Sequence, residues 1–256
     1  MTCPGKFGLL LFCGGALFPL SAQKVVSARA GLLTYVQGSV LIEGKPVVLK
    51  TARFPQMKAG ETLSTGPGRG RTEVLLAPGI VLRLVENSQI RMDSTDLSDT
   101  RITLQQGEAL IEVVQLAAGN RVQLELGETT TELTRSGLYR FGKSQNATLR
   151  VYGGEALVRS GLKTADAKRG MAVSLDADLT VSRFERKQTD SFHAWAARRS
   201  FDLFMSDPDV RHKLTHWQPT PGGYMQNKNF GVEFRASIRR TMPRPAVSPI
   251  PSAEHP

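Results

Sequence analysis

The chain has 256 residues, enough for one generous domain or for one domain with extensions. Its formal net charge is +10, from 33 Lys and Arg against 23 Asp and Glu, and its two cysteines both lie within the first 13 residues. This composition excludes disulfides and cysteine metal sites beyond residue 13, and the basic charge favours anionic partners such as lipid headgroups or acidic polymers.

The first 23 residues have the pattern of a secretory signal peptide. Lys6 precedes an uncharged apolar run over residues 7–20, and small residues follow. Fourteen residues are fewer than the roughly 20 that a membrane-spanning helix needs, so we predict a cleaved signal with a retained anchor as the alternative. The protein is then expected in the periplasm or secreted, with no integral membrane span after processing. The candidate cleavage positions follow Ala22, Gln23 and Ala30.

Short runs of β-branched and aliphatic residues, separated by turn signals, fill residues 31–181. In one of them, Val122, Leu124 and Leu126 alternate with polar residues, as in an antiparallel strand that is buried on one face. No helical period of convincing length appears before residue 187. These patterns predict an all-β domain.

A strand–glycine–strand unit recurs three times, with Gly38, Gly107 and Gly154 at its centre. Glycine adopts positive φ without steric cost, so we predict that each glycine forms a tight turn between two strands. Repeated units of this kind favour a roll or β-solenoid-like stack of short antiparallel hairpins. The irregular spacing of the units leaves a sandwich or a jelly roll as alternatives.

Several motifs in collinear order resemble the FecR domain over residues 31–182, and we delimit a FecR-like β domain as residues 24–182. Each motif is short, and their shared order carries the resemblance. The motifs comprise Val36-x-Gly38-x-Val40, residues 60–66, residues 72–84 around Pro78-Gly79, residues 86–91, Leu104-x-x-Gly107-x-Ala109, residues 137–141, and residues 150–158 around Gly154.

The resemblance implies an exported sensory or scaffold-like β domain. The family is named after membrane regulators that pass an iron-siderophore signal to an extracytoplasmic-function sigma factor, and these carry a cytoplasmic anti-sigma segment before a transmembrane helix. Only six residues precede the apolar run in this sequence. The resemblance therefore implies a stand-alone exported bacterial protein without the anti-sigma segment. It supplies no catalytic or cofactor residue, and we predict no cofactor.

Residues 187–206 change to a helical period and predict an amphipathic helix. Phe192, Trp195, Arg198 and Arg199 are its candidate functional side chains. One interpretation is that they bind a partner or an anionic surface. The interpretation that we favour is a capping helix, in which the aromatic side chains cover an open end or edge of the β domain.

Residues 218–256 are rich in proline and arginine and predict a disordered tail. Residues 183–256 carry 12 Lys and Arg against 7 Asp and Glu, whereas residues 24–182 carry 20 against 16. The excess of basic residues is therefore densest in the C-terminal part, residues 183–256. Aromatic side chains are not interleaved with its arginines, so we do not expect it to bind nucleic acid.

The search for catalytic and metal sites gives only weak candidates. His212 and His216 have the spacing of two metal ligands on one helix face, but two ligands do not complete a site. Asp93, Asp96 and Asp99 lack the turn-making glycine of a calcium loop and are interpreted as a polar turn. We predict neither a catalytic residue nor a metal site.

The prediction for function is a non-catalytic binding, sensory or scaffold module whose partner is an envelope protein or an anionic envelope polymer. The first alternative is an enzyme acting on envelope polysaccharide through paired carboxylates, Glu73 with Glu86 or Glu125 with Glu132. The second alternative is a membrane-anchored signalling partner.

Overall fold

The computed structural model describes residues 29–49, 54–143, 146–187 and 190–205. Within them lie sixteen strands, a short 3-10 turn at Leu97–Asp99 and one α-helix, which confirms the prediction of a mainly β fold with one helix towards the C-terminus. The predicted signal peptide and the predicted tail lie outside the described residues. The elements are β1 Leu32–Gln37, β2 Val40–Ile42, β3 Lys45–Pro46, β4 Thr62–Thr65, β5 Arg71–Ala77, β6 Ile80–Leu84, β7 Gln89–Ser94, β8 Thr100–Val113, β9 Val122–Leu126, β10 Thr129–Leu133, β11 Gly137–Lys143, β12 Thr148–Gly153, β13 Glu155–Ser160, β14 Lys163–Lys168, β15 Met171–Ser174, β16 Val181–Arg183 and α1 Ser191–Met205.

The strands form two sheets that share one long strand. Sheet A has the order β1-β5-β6-β8-β11-β12-β15-β16. Sheet B has the order β3-β2-β4-β7-β8-β9-β10-β13-β14. Neighbouring strands run antiparallel except for β8 and β9. The 14-residue β8 pairs within sheet B up to Gln106 and within sheet A from Gly107 onwards.

The hydrophobic core lies between the two sheets. Leu82, Ile111 and Phe141 of sheet A and Ile90 and Leu124 of sheet B belong to one cluster of fully buried side chains. Each such side chain stabilises the fold by about 1.5–3 kcal/mol relative to exposure in water. The period-two alternation of the strands therefore places one apolar face of each sheet against the other.

The three repeat glycines lie where the chain changes sheets. Gly38 links β1 of sheet A to β2 of sheet B, Gly154 links β12 of sheet A to β13 of sheet B, and Gly107 lies inside β8. Their φ angles are +66°, +88° and +78°. The prediction of a tight turn between two strands is wrong at Gly107, where one strand bends from sheet B to sheet A without ending, and the positive φ favours glycine at all three positions.

Close approach of a second segment adds a reason for glycine at these positions. A Cβ built on Gly107 would lie 2.6 Å from the carbonyl oxygen of Asn87, and one built on Gly154 would lie 2.1 Å from the Tyr139 hydroxyl. No side chain fits in such space. The glycines are therefore required by packing as well as by backbone conformation.

The helix α1 lies on the outer face of sheet A, the face that points away from sheet B. The helix contributes Phe192, Trp195 and Ala196 to a buried apolar cluster. The sheet contributes Leu110, Leu138 and Tyr152. Sheet A is therefore covered on both faces. The helix covers a face of the sheet, where the sequence analysis predicted an end or an edge. In the described part of the chain, no helix combines the length and the apolar character needed to cross a membrane.

Candidate functional site

The outer face of sheet A carries an unusual row of polar side chains beneath α1. Strand pairing aligns Tyr35 of β1, Glu73 of β5, Arg83 of β6, Leu110 of β8 and Arg140 of β11. Side chains at paired positions point to the same face of a sheet, so this row faces the helix. Glu73 is 0% exposed and Arg83 is 1% exposed.

Arg83 lies at the centre of a buried ionic cluster. Its Nε donates to Oε2 of Glu73 at 2.9 Å, and its Nη1 donates to Oε2 of Glu112 at 2.8 Å. Its Nη2 donates to the hydroxyl of Ser200 at 3.1 Å, and this hydroxyl also bonds the Glu112 carboxylate. Because Ser200 belongs to α1, the cluster fixes the helix to three strands of the sheet.

Glu73 has further partners on its second carboxylate oxygen. Oε1 accepts hydrogen bonds from the Thr34 hydroxyl at 2.8 Å and from Nη2 of Arg199 at 3.2 Å. Burial raises the pKa of Glu73, but the charges of Arg83 and Arg199 and the hydrogen bond from Thr34 outweigh burial, so the pKa lies below its ordinary value. Glu73 is therefore an ionised structural residue. With Glu112 included, two carboxylates face two guanidinium groups.

A second ionic group holds the N-terminus of α1. Asp190 caps the helix, since its Oδ1 accepts the backbone N–H of His193 at 3.1 Å. Its Oδ2 lies 2.7 Å from Nη1 of Arg140, and Nη2 of Arg140 lies 2.5 Å from Oε2 of Glu108. The ring of His193 lies between them, with Nδ1 at 2.9 Å from Arg140 Nη1 and 3.1 Å from Asp190 Oδ1.

The environment of His193 disfavours its protonation. Burial lowers the pKa of His193, and the neighbouring Arg140 lowers it further, whereas Asp190 opposes the change. The net result is a pKa below the ordinary value for histidine. The imidazole is therefore a neutral packing element at neutral pH.

Aromatic rings and guanidinium groups contact each other where β1, β5 and α1 meet. We call this place the seam, and its side chains are Tyr35, Arg71, Trp195 and Arg199. The ring centroids of Tyr35 and Trp195 are 5.7 Å apart. The guanidinium carbon of Arg71 lies 5.3 Å from the centre of the Trp195 ring, and that of Arg199 lies 4.5 Å from the centre of the Tyr35 ring. Both distances are within the range of cation–π attraction.

The structure separates the four candidate helix residues into two groups. Phe192 and Trp195 are buried against sheet A, and Arg199 is mostly buried on Glu73. Arg198 lies on the exposed side of the helix. Three of the four therefore belong to the contact between helix and sheet.

The structure places the two proposed carboxylate pairs differently, and in neither pair are the two glutamates opposite each other in the strand register. Glu73 lies beneath α1, whereas Glu86 lies in the connection between β6 and β7. Glu125 and Glu132 lie on the neighbouring strands β9 and β10, but the register pairs them with Thr130 and Gln123.

The acidic segment at residues 93–99 behaves as a polar turn. Asp93 pairs with Arg91 at 2.6 Å, and Asp99 pairs with Arg121 at 2.8 Å. Asp96 accepts the backbone N–H of Ser98 and caps the 3-10 turn. Among the described residues, no three His, Cys, Asp or Glu side chains are grouped as metal ligands would be. His212 and His216 lie outside these residues.

The ionic cluster around Arg83 was not predicted from the sequence. A signal for it exists, since Glu73, Arg83 and Glu112 are charged residues that interrupt or adjoin apolar runs within their strands. A charge in such a strand is expected to be paired when it is buried.

Comparison with known proteins gives fold similarities of low score. No family model matches the chain, and no curated protein sequence matches it. Two crystal structures from Parabacteroides distasonis ATCC 8503, each provisionally described as an anti-sigma factor, resemble parts of the fold. The first has a TM-score of 0.44 and 13% identity, and the matched region covers 53% of this chain and 64% of the chain of that protein. The second has a TM-score of 0.41 and 11% identity, with 70% and 89% of the two chains covered.

Proposed function

We propose that this chain is an exported, non-catalytic binding, sensory or scaffold module of the bacterial cell envelope, built on a FecR-like β domain. The signal-like first 23 residues and the collinear motifs of residues 31–182 support this proposal. The two-sheet fold with α1 packed on sheet A is compatible with it. The partner is an envelope protein or an anionic envelope polymer.

The observation that favours a binding module over the carboxylate enzyme is the environment of Glu73, the buried member of the first candidate carboxylate pair. A general acid at neutral pH needs a carboxyl group with a raised pKa. Glu73 has a lowered pKa because Arg83 and Arg199 flank it. Its charge is used to hold α1 on the sheet, as expected of a residue that maintains a fixed surface for binding.

The boundary of the exported chain follows from the surroundings of Ala30. This residue is 0% exposed, and its backbone N–H donates to the carbonyl of Thr95 at 2.9 Å. Cleavage after Ala30 would remove these contacts from the domain. This loss of contacts supports a cleavage site after Ala22 or Gln23 over one after Ala30.

Cell fractionation, with mass-spectrometric identification of the mature N-terminus, tests the proposal. The expected result is a periplasmic or secreted chain that begins at Gln23 or Lys24. A membrane-bound chain that retains Met1 would contradict processing and favour the anchored signalling alternative. A cytoplasmic chain would contradict export altogether.

A further inference from the structure

Three N–H donors in the seam between β1, β5 and α1 have no hydrogen-bond acceptor among the described residues. They are Nε of Arg71, Nε of Arg199 and Nε1 of Trp195. Their side chains belong to one group of ring and cation–π contacts around Tyr35 and Trp195. Buried polar groups almost always have a hydrogen-bond partner. Three such donors in one group therefore mark a place suited to a ligand with acceptor oxygens.

The charge of the seam points to an anionic ligand. Glu73 and Glu112 balance Arg83 and Arg199. Arg71 is half-buried. Within the described ranges no carboxylate oxygen lies within 4.0 Å of its guanidinium nitrogens, the distance that defines an ion pair. The seam thus retains a positive charge that the domain leaves uncompensated.

We propose that this seam binds a carboxylate group of an acidic glycan. The half-buried Arg71 makes the first contact, since a guanidinium group matches a carboxylate with two parallel hydrogen bonds. As Arg71 turns from the Trp195 ring towards the ligand, the indole N–H and Arg199 become available as deeper donors. The site deepens the proposed function, on which it rests, by naming the class of envelope polymer.

A glycan suits the seam better than a membrane surface does. Proteins that lie on a bilayer insert exposed apolar side chains. Trp195 is 9% exposed, and the large apolar side chains that are exposed among the described ones belong to none of β1, β5 and α1. These side chains are Val48, Phe54, Leu162 and Val181. A polyuronate also repeats its carboxylate along the chain, so that weak single contacts are reinforced by high effective concentration.

The test is a titration of the purified full-length chain with polygalacturonate, followed by tryptophan fluorescence and by calorimetry. A Trp217→Phe substitution leaves Trp195 as the single fluorophore of this kind. We expect saturable binding that Arg71→Gln weakens at least about tenfold. Arg71→Lys keeps the positive charge but lacks the planar guanidinium group with two parallel N–H donors, and should bind with intermediate affinity. Arg91→Gln, the same charge change on sheet B, should bind like the parent chain.

Equal binding by the parent chain and by Arg71→Gln would overturn the proposal, as would the absence of binding. Binding confined to poly-glutamate or to anionic phospholipid vesicles would overturn the choice of a glycan. Thermal unfolding of each variant shows whether it is folded. If Arg71→Gln does not fold, the affinity of the parent chain is compared with that of Arg71→Lys. The titration does not depend on export. Its failure with a secreted chain would refute the site alone, whereas a cytoplasmic chain would refute the proposed function.

Discussion

The two outer faces of this β domain contain ion pairs of similar geometry in different surroundings. On sheet A, Arg83 and Glu73 lie 2.9 Å apart with side chains 1% and 0% exposed. On sheet B, Arg91 and Asp93 lie 2.6 Å apart with side chains 48% and 15% exposed. Water screens the exposed pair, whereas the buried charges depend on their partners alone. The comparison shows that burial, rather than distance, decides what an ion pair contributes.

The two faces also differ in what their polar residues can do. On sheet A, α1 converts the outer face into a second interior, in which Glu73 and Glu112 pair with Arg83 and Arg199. Arg71 lies at the margin of this interior without a carboxylate partner among the described residues. On sheet B, Arg91, Thr103 and Glu125 align across strands and keep partial contact with water. The first face maintains the structure, and the second offers a polar surface.

The largest expected effect comes from Arg83→Ala. The substitution leaves the carboxylates of Glu73 and Glu112 in a buried site without their shared partner. We expect a loss of about 3–5 kcal/mol in the free energy of unfolding, measured by urea denaturation. A loss below about 1 kcal/mol would mean that the cluster is hydrated and that the two faces are alike.

A triple variant sharpens the same comparison. Arg83→Met combined with Glu73→Leu and Glu112→Leu removes the three most buried charges together and leaves Arg199, whose side chain is 18% exposed, with access to water. The triple variant should therefore recover much of the stability that Arg83→Ala loses. A triple variant as unstable as Arg83→Ala would show that shape, rather than unpaired charge, causes the loss.

The next effect concerns the glycines that connect the two sheets. Gly107→Ala places a Cβ 2.6 Å from the Asn87 carbonyl oxygen in addition to forcing a positive φ, and should cost about 2–3 kcal/mol. Gly161→Ala is the matched control, because Gly161 also has a positive φ but has no atom within 4 Å of its Cβ position. Gly161→Ala should lower the free energy of unfolding by about 1 kcal/mol. Equal losses in urea denaturation would contradict the close approach at Gly107.

A smaller effect should appear in the pH dependence of stability. The lowered pKa of His193 means that the unfolded chain binds more protons than the folded chain once the pH falls below about 6.5. The contribution of neutral His193 to the free energy of unfolding is therefore fully present above that pH and is lost as the pH falls towards 5. Arg140, Asp190 and Glu108 face the imidazole region. The raised pKa of Arg140 and the lowered pKa of Asp190 keep these two groups charged across this range.

His193→Gln provides the measurement for this effect. Its free energy of unfolding should vary less between pH 7 and pH 5 than that of the parent chain. An unchanged slope would show that another group causes the decline.

The smallest effect is expected on sheet B. Arg91→Ala breaks an ion pair that water screens and should change the free energy of unfolding by about 0–1 kcal/mol. A loss comparable to that of Arg83→Ala, measured under the same conditions, would remove the distinction between the two faces.

The sequence was sufficient for the fold class and insufficient for the buried cluster. Alternation such as that of Val122, Leu124 and Leu126 predicts β-strands because side chains on a strand alternate between faces. The partnership of Glu73 with Arg83 depends on a register shift between Leu75 and Ala77. A one-residue shift moves a side chain to the opposite face, and no sequence pattern indicated it.

Two further differences have physical causes. The strand–glycine–strand unit around Gly107 predicts two strands, whereas the residues on both sides belong to β8, because a bend within a strand has the same glycine signal as a turn. The capping helix was predicted at residues 187–206 and is found at Ser191–Met205. The periodicity of Phe192 and Trp195 revealed an apolar helix face, but contained no information about which part of the β domain it covers.

Native-state hydrogen exchange tests most directly whether α1 is an integral layer of the domain. If the buried cluster fixes the helix to sheet A, the amides of residues 195–200 should exchange as slowly as the central amides of β6 and β8, through global unfolding. Fast exchange of α1 while those strands stay protected would contradict this account, since it would show a helix that opens independently of the sheet.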